Sequence, residues 1–161
     1  MSFLVSNISI MDENQENRIT MTHVVLRHEV DEPEPPPRGL TSNFKTVEEW
    51  LSNVCDENRP IKPNDAFRVG LFESADDYIV FIVGLNTHGP KEHLITDIDF
   101  EPSNMYFRLP ENEYQNLTRQ ELLNKLGAQL FDFIKTDKFR NSFLAEAKSI
   151  TADFMHELWT K

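Results

Sequence analysis

The chain has 161 residues and carries 27 acidic against 16 basic side chains, a formal net charge of −11. That balance repels nucleic acid and anionic membrane and attracts basic protein surfaces. Its one cysteine, Cys55, excludes an internal disulfide and suits a reducing compartment.

At this length one domain, residues 1–161, is the default, and it can bury roughly two-thirds of its unfolded surface. Hydrophobic residues make up 39%, and 12 Phe supply large buried areas. Residues 1–10 lack a basic region and a long apolar stretch, so no signal peptide is expected. No apolar run approaches the roughly 18 residues of a membrane span. The expectation is a soluble cytoplasmic protein.

Phe3 to Met11 alternates as a first strand, and Arg18 to Val30, rich in β-branched residues, reads as a second. The two form a hairpin or flank a longer loop. Asp31-Glu-Pro-Glu-Pro-Pro-Pro37 then stops regular structure, within a Pro-rich acidic connection over 31–45. Such a segment is either a Pro-motif ligand for a groove or a stiff solvent-exposed connection, and the interleaved acids favour the second.

Thr46-Val-Glu-Glu49 is a capping box that opens a helix to about Cys55, with Val47, Trp50, Leu51 and Val54 buried. Ala66–Phe72 and Tyr78–Asn86 form a hairpin. The second of these is apolar on both faces and is expected to be central. Leu94–Phe100 and Met105–Leu109 complete a four-strand meander. Thr118-Arg-Gln-Glu121 caps a helix to about Lys135, in which Gly127 permits close packing on the sheet. A third helix is expected from Lys138 to Trp159, because Phe139, Phe143, Ala147, Ile150, Phe154 and Leu158 fall three or four apart. The predicted order is ββαββββαα: an α+β fold, an antiparallel meander of four to six strands with helices packed on it.

Few constellations suggest chemistry. Asp97 and Asp99 share one face of a strand, and Glu101 extends the row. Paired carboxylates can hold Mg²⁺, or can form the solvent face of an amphipathic strand; no glycine-rich phosphate loop completes a metal site. His88 and His93 with Glu92 share a loop, and His23, His28 and His156 lie elsewhere, without convergent ligand spacing. No catalytic residue, metal or cofactor is expected. The acids form local groups, Glu73 to Asp77 (with Asp76) and Asp97 to Glu101. Solubility explains any one of them, whereas together they are able to join into one negative patch for a cationic partner, with Tyr106 or Tyr78 as aromatic anchor.

Size, acidity, a single cysteine and an α+β layout without catalytic residues together resemble the immunity proteins of bacterial toxin systems, including contact-dependent inhibition. That resemblance implies a cytoplasmic inhibitor that binds a cognate toxin domain, often a nuclease, and no enzyme activity. The expected partner surface is Asp97, Asp99, Glu101, Glu73, Asp76, Asp77 and Tyr106, on a monomer or weak dimer that binds neither nucleic acid nor membrane. The alternatives are an acidic secretion chaperone and a metal-dependent enzyme at Asp97 and Asp99.

Overall fold

The computed structural model describes residues 2–13, 19–57, 59–75 and 77–161. The chain divides into two compact units: residues 1–32 with 87–97, and residues 33–86 with 98–161.

In the first unit, β1 (Ser2–Glu13) and β2 (Ile19–Val30) form a long antiparallel ribbon, in register from Ser2 opposite Val30 to Glu13 opposite Ile19. The expected N-terminal hairpin is therefore present, with β1 extending past the expected Phe3–Met11 at both ends and β2 ending at Val30 as expected. The last four residues of β2, Arg27 to Val30, pair in parallel with His93 to Thr96 of β5 (His93–Phe100). The turn that leads into β5 depends on Gly89, whose φ is 97°. A Cβ there would lie 2.5 Å from the His93 carbonyl oxygen, so a side chain is excluded both by conformation and by space.

The second unit has a helical layer on a sheet. Its strands are β3 (Ala66–Glu73), β4 (Tyr78–His88, whose last two residues belong to the first unit), β6 (Tyr106–Arg108), β7 (Ser149–Ala152) and β8 (Met155–Thr160). They run in the order β6-β4-β3-β7-β8, with β3 and β7 parallel and the other neighbours antiparallel. The class is α+β as expected, but the sheet is mixed. The predicted antiparallel meander fails at two points: β6 pairs with β4, and both units contain a parallel pair.

Helix α1 (Val47–Asp56) starts at Thr46, whose hydroxyl accepts the Glu49 amide, while Glu49 accepts the Lys45 amide instead of that of Thr46. A single-turn helix α2 (Glu111–Tyr114) precedes α3 (Arg119–Ile134), which has the full reciprocal capping box of Thr118 and Glu121. Leu122, Leu126 and Leu130 of α3 are at most 1% exposed, packed with Trp50, Phe67, Val69, Val80, Ile82 and Phe107 in the main core. β4 is buried on both faces from Ile79 to Leu85, as expected of a central strand. Cys55 packs against this core, and burial pushes its thiol upward, away from reactive thiolate character.

The predicted third helix is absent. After a one-turn α4 (Asp137–Arg140) and a 3-10 turn at Phe143–Glu146, the chain forms the β7–β8 hairpin. The helical spacing of Phe139, Phe143, Ala147, Ile150 and Leu158 is real, and all five are buried. Ile150 and Ala152 also alternate on a strand, and β3 offers open backbone groups from Ala66 to Val69 for pairing. Sheet pairing therefore overrides a periodicity that fits both structures. Among the described residues no helix is long and apolar enough to cross a membrane.

Gly127 does not mark a tight approach to the sheet. A Cβ there would meet only Met155, at 3.5 Å from Cε, which is ordinary van der Waals contact. Gly127→Ala is therefore expected to stabilise the protein by about 0.5–1 kcal/mol through helix propensity. Leu126→Ala, one residue away, is expected to cost about 2–5 kcal/mol. Urea denaturation midpoints of the two variants check both signs; a destabilised Gly127→Ala would mean that the helix sits closer to β8 than this spacing allows.

Candidate partner-binding surface

The second face of the second unit's sheet is built from aromatic rings. Along β4, Val80 and Ile82 point to the helices, so Phe81, Val83 and Leu85 point to the opposite side. There they form a separate buried cluster with Met105, joined by Phe72, Ile98 and Tyr106. Phe72 lies 5.1 Å from Phe81 and 6.3 Å from Tyr106, between ring centroids. Gly70 gives Phe81 its room, since a Cβ at Gly70 would lie 2.2 Å from the ring. The Arg68 guanidinium sits 5.5 Å from the Phe81 centroid and donates two hydrogen bonds to Asp153, at 2.8 and 2.9 Å. Arg68 and Asp153 are 85 residues apart, and only the β3–β7 pairing brings them together.

Tyr106 is held from behind. The loop before it is fixed by Glu57, whose carboxylate accepts the amides of Ser103 at 2.6 Å and Asn104 at 3.0 Å. The Trp50 indole N–H donates to the Asn104 carbonyl at 2.6 Å, and its ring stacks on Phe107 at 5.5 Å. Tyr106 then faces away from the helices, opposite Phe81 in the β4–β6 register. Its hydroxyl donates to the carbonyl of Glu34, inside the proline-rich segment. The expected solvent-exposed connection is thus partly attached: Pro33 is buried and Pro36 half-buried. Burial first, then the charges of Glu101 and Glu34, raises the Tyr106 phenol above its ordinary value of 10.0.

The other expected site residues are dispersed. Glu73 is paired with Arg119 at 2.8 Å, and Asp77 with Arg108 at 3.5 Å. Asp76 lies outside the described residues. Asp99 accepts a hydrogen bond from Asn86 at 2.5 Å and lines a cleft of about 440 Å³ together with Arg59 and Lys62. Asp77 adjoins the start of β4 and Asn86 lies nine residues on, roughly 30 Å along a strand. The two acidic groups of the second unit therefore do not join into one patch. Glu101 is exposed and, among the described residues, has no hydrogen-bond or ion-pair partner.

In the first unit, Asp97 Oδ2 lies 2.5 Å from His88 Nε2, and Glu29 lies 3.6 Å from His93 Nε2. On another side of β5, His28, Thr96 and Thr87 form a hydrogen-bonded chain with both links at 2.7 Å. Among the described residues no group of three or more His, Cys, Asp or Glu is placed to hold a metal ion. Sequence patterning missed the attachment of the proline segment to Tyr106. The signal available for it was the spacing of Pro33 and Pro36, three apart as a polyproline II helix requires. No protein-family model matches the chain, and neither do any curated protein or solved structure.

The raised phenol gives a sign to alkaline behaviour. A tyrosine whose folded value lies above its unfolded value contributes stability that is complete below pH 10.0 and is lost as pH rises through the folded value. Tyr114, buried beside Glu113, shifts in the same direction, to about 12. Stability is therefore expected to fall as pH climbs from 10 toward 12, and Tyr106→Phe and Tyr114→Phe should each flatten part of that decline. Urea midpoints measured across this window check it; identical slopes in all three proteins would contradict the shifts.

Proposed function

We propose that this chain is an acidic protein-binding module of the toxin-immunity type, which neutralises a basic protein domain through the surface around Tyr106. The observation that supports it is the attachment of the Glu34 backbone to Tyr106, with the exposed acids Glu34 and Glu101 in the segments on either side of an aromatic cluster on an anchored strand. Aromatic anchors beside unpaired acidic side chains favour fast, specific encounter with a basic partner. Within the acidic row named from sequence, the centre of the surface moves to Glu101 and Tyr106. Glu73 and Asp77 already have arginine partners, and Asp97 has His88.

The net charge of −11 acts at longer range by steering a basic partner, and the local surface sets the register. A nuclease domain is one partner of this chemistry, because its substrate cleft is basic. No catalytic step is assigned to this chain.

The test is a pull-down from source cells with salt-graded washing. One basic protein should be retained at 1:1 and released as salt rises. In a Glu34→Lys/Glu101→Lys variant the association rate at low salt should drop about tenfold, and the gap should narrow at high salt. Equal retention by the variant and the unaltered chain would remove this surface from the proposal.

A further inference from the structure

The segment Pro33-Glu-Pro-Pro-Pro37 has one accessible regular conformation. Proline fixes φ near −65° and pushes its predecessor into extended geometry, so the run forms a polyproline II helix with three residues per turn. Residues three apart then share a face. Burial follows that period: Pro33 is buried, Glu34 and Pro35 are exposed, Pro36 is half-buried, and Pro37 and Arg38 are exposed. A polyproline II helix makes no internal hydrogen bonds, so its carbonyls are free to accept from elsewhere. The Glu34 carbonyl accepts from the Tyr106 hydroxyl. The Tyr106 ring belongs to the aromatic cluster with Phe72 and Phe81, on the sheet face that the helices leave open.

Two features therefore meet at Tyr106: an aromatic platform of half-buried Phe72 and Tyr106, and a proline-rich segment whose Glu34 carbonyl accepts from the Tyr106 phenol. Separate domains that bind proline-rich peptides use this same combination. We infer that the face bearing Tyr106 is a polyproline-recognition surface, with the chain's own Pro33–Pro37 segment as its resident ligand. The partner it fits is an extended proline-rich peptide, which takes the place of the resident segment. Such a peptide is already close to its bound shape, so little ordering entropy opposes the exchange. The resident segment competes as a tethered ligand, at an effective concentration on the order of millimolar. The surface is therefore closed to weak peptides and open to strong ones. This does not rest on the basic-partner proposal, which depends on charge; polyproline recognition depends on the platform and the phenol, and either can fail alone.

The probe is a labelled synthetic peptide with the sequence of residues 31–37, followed by fluorescence anisotropy. It is titrated into the unaltered chain and into a full-length variant with Pro33→Ser, Pro35→Ser, Pro36→Ser and Pro37→Ser. The variant should bind one peptide saturably, at least about tenfold more tightly than the unaltered chain, because its tethered competitor is weakened. Adding Tyr106→Phe to the variant should weaken binding about fivefold, the value of one hydrogen bond. Absence of saturable binding by the folded variant would overturn the proposal, as would equal affinity in the two chains or no effect of Tyr106→Phe. Should the proline variant not fold, the same peptide is added to the unaltered chain and tryptic cleavage after Arg38 is followed. Displacement of the resident segment should speed that cleavage several-fold, and an unchanged rate at millimolar peptide would overturn the proposal.

Discussion

The side chain of Trp50 connects the helical layer to the strand that carries the candidate surface. It is wholly buried, stacked on Phe107, with its N–H donated to the Asn104 carbonyl. A buried indole needs such a partner, because an unpaired N–H inside the protein costs about 1–3 kcal/mol. The partner is the backbone just before β6, so satisfying the indole also fixes where β6 begins. β6 has only three residues, and Tyr106 and Phe107 point to opposite faces. Placing Phe107 under the helices therefore places Tyr106 on the other side, beside Phe72 and Phe81. Glu57 strengthens the arrangement by accepting two amides from the same loop.

The charge excess is spent unevenly over this scaffold. Most of the acids that stand near a cation form exposed pairs, such as Arg119 with Glu73 or Arg59 with Glu146, and such pairs contribute little stability. Their removal from the free charge matters more than their energy. It leaves the region of Glu34 and Glu101 distinct from the ends of β3 and β4, although both look equally acidic in sequence. Arg68 is treated differently: its side chain is mostly buried, it lies against Phe81, and it donates two hydrogen bonds to Asp153. That pairing lets a cation cover an apolar ring without remaining an uncompensated buried charge.

Much of the architecture was legible because local chemistry and tertiary placement agreed. Thr118 and Glu121 announced α3, Thr46 announced α1, and the two-faced apolar run at Tyr78 announced a buried central strand. The failures share a cause. Ile150 and Leu158 fit a helical face and a strand face equally, and the choice between them was made by backbone groups on β3, some 80 residues away. Parallel pairing leaves no turn signature, so neither β2–β5 nor β3–β7 could be read from neighbouring residues. The same blindness applies to the site. Tyr106 and Glu101 were identifiable as an aromatic and an acid near one strand. Neither the cation partners of Glu73 and Asp77 nor the carbonyl that Tyr106 contacts leaves a trace in local spacing.

The proline segment shows how one local constraint acquires a second role. Its prolines end β2 by withholding donors, which is enough to account for their presence as a connection. Yet a stiff connection with period three has a face, and this one turns Pro33 and Pro36 inward while presenting the Glu34 carbonyl to Tyr106. The segment thereby carries a carboxylate onto an aromatic surface whose other nearby acid, Glu101, comes from the loop fixed by Trp50 and Glu57. Fixed backbone on both sides limits the ordering cost of association on this chain to the side chains of the two acids.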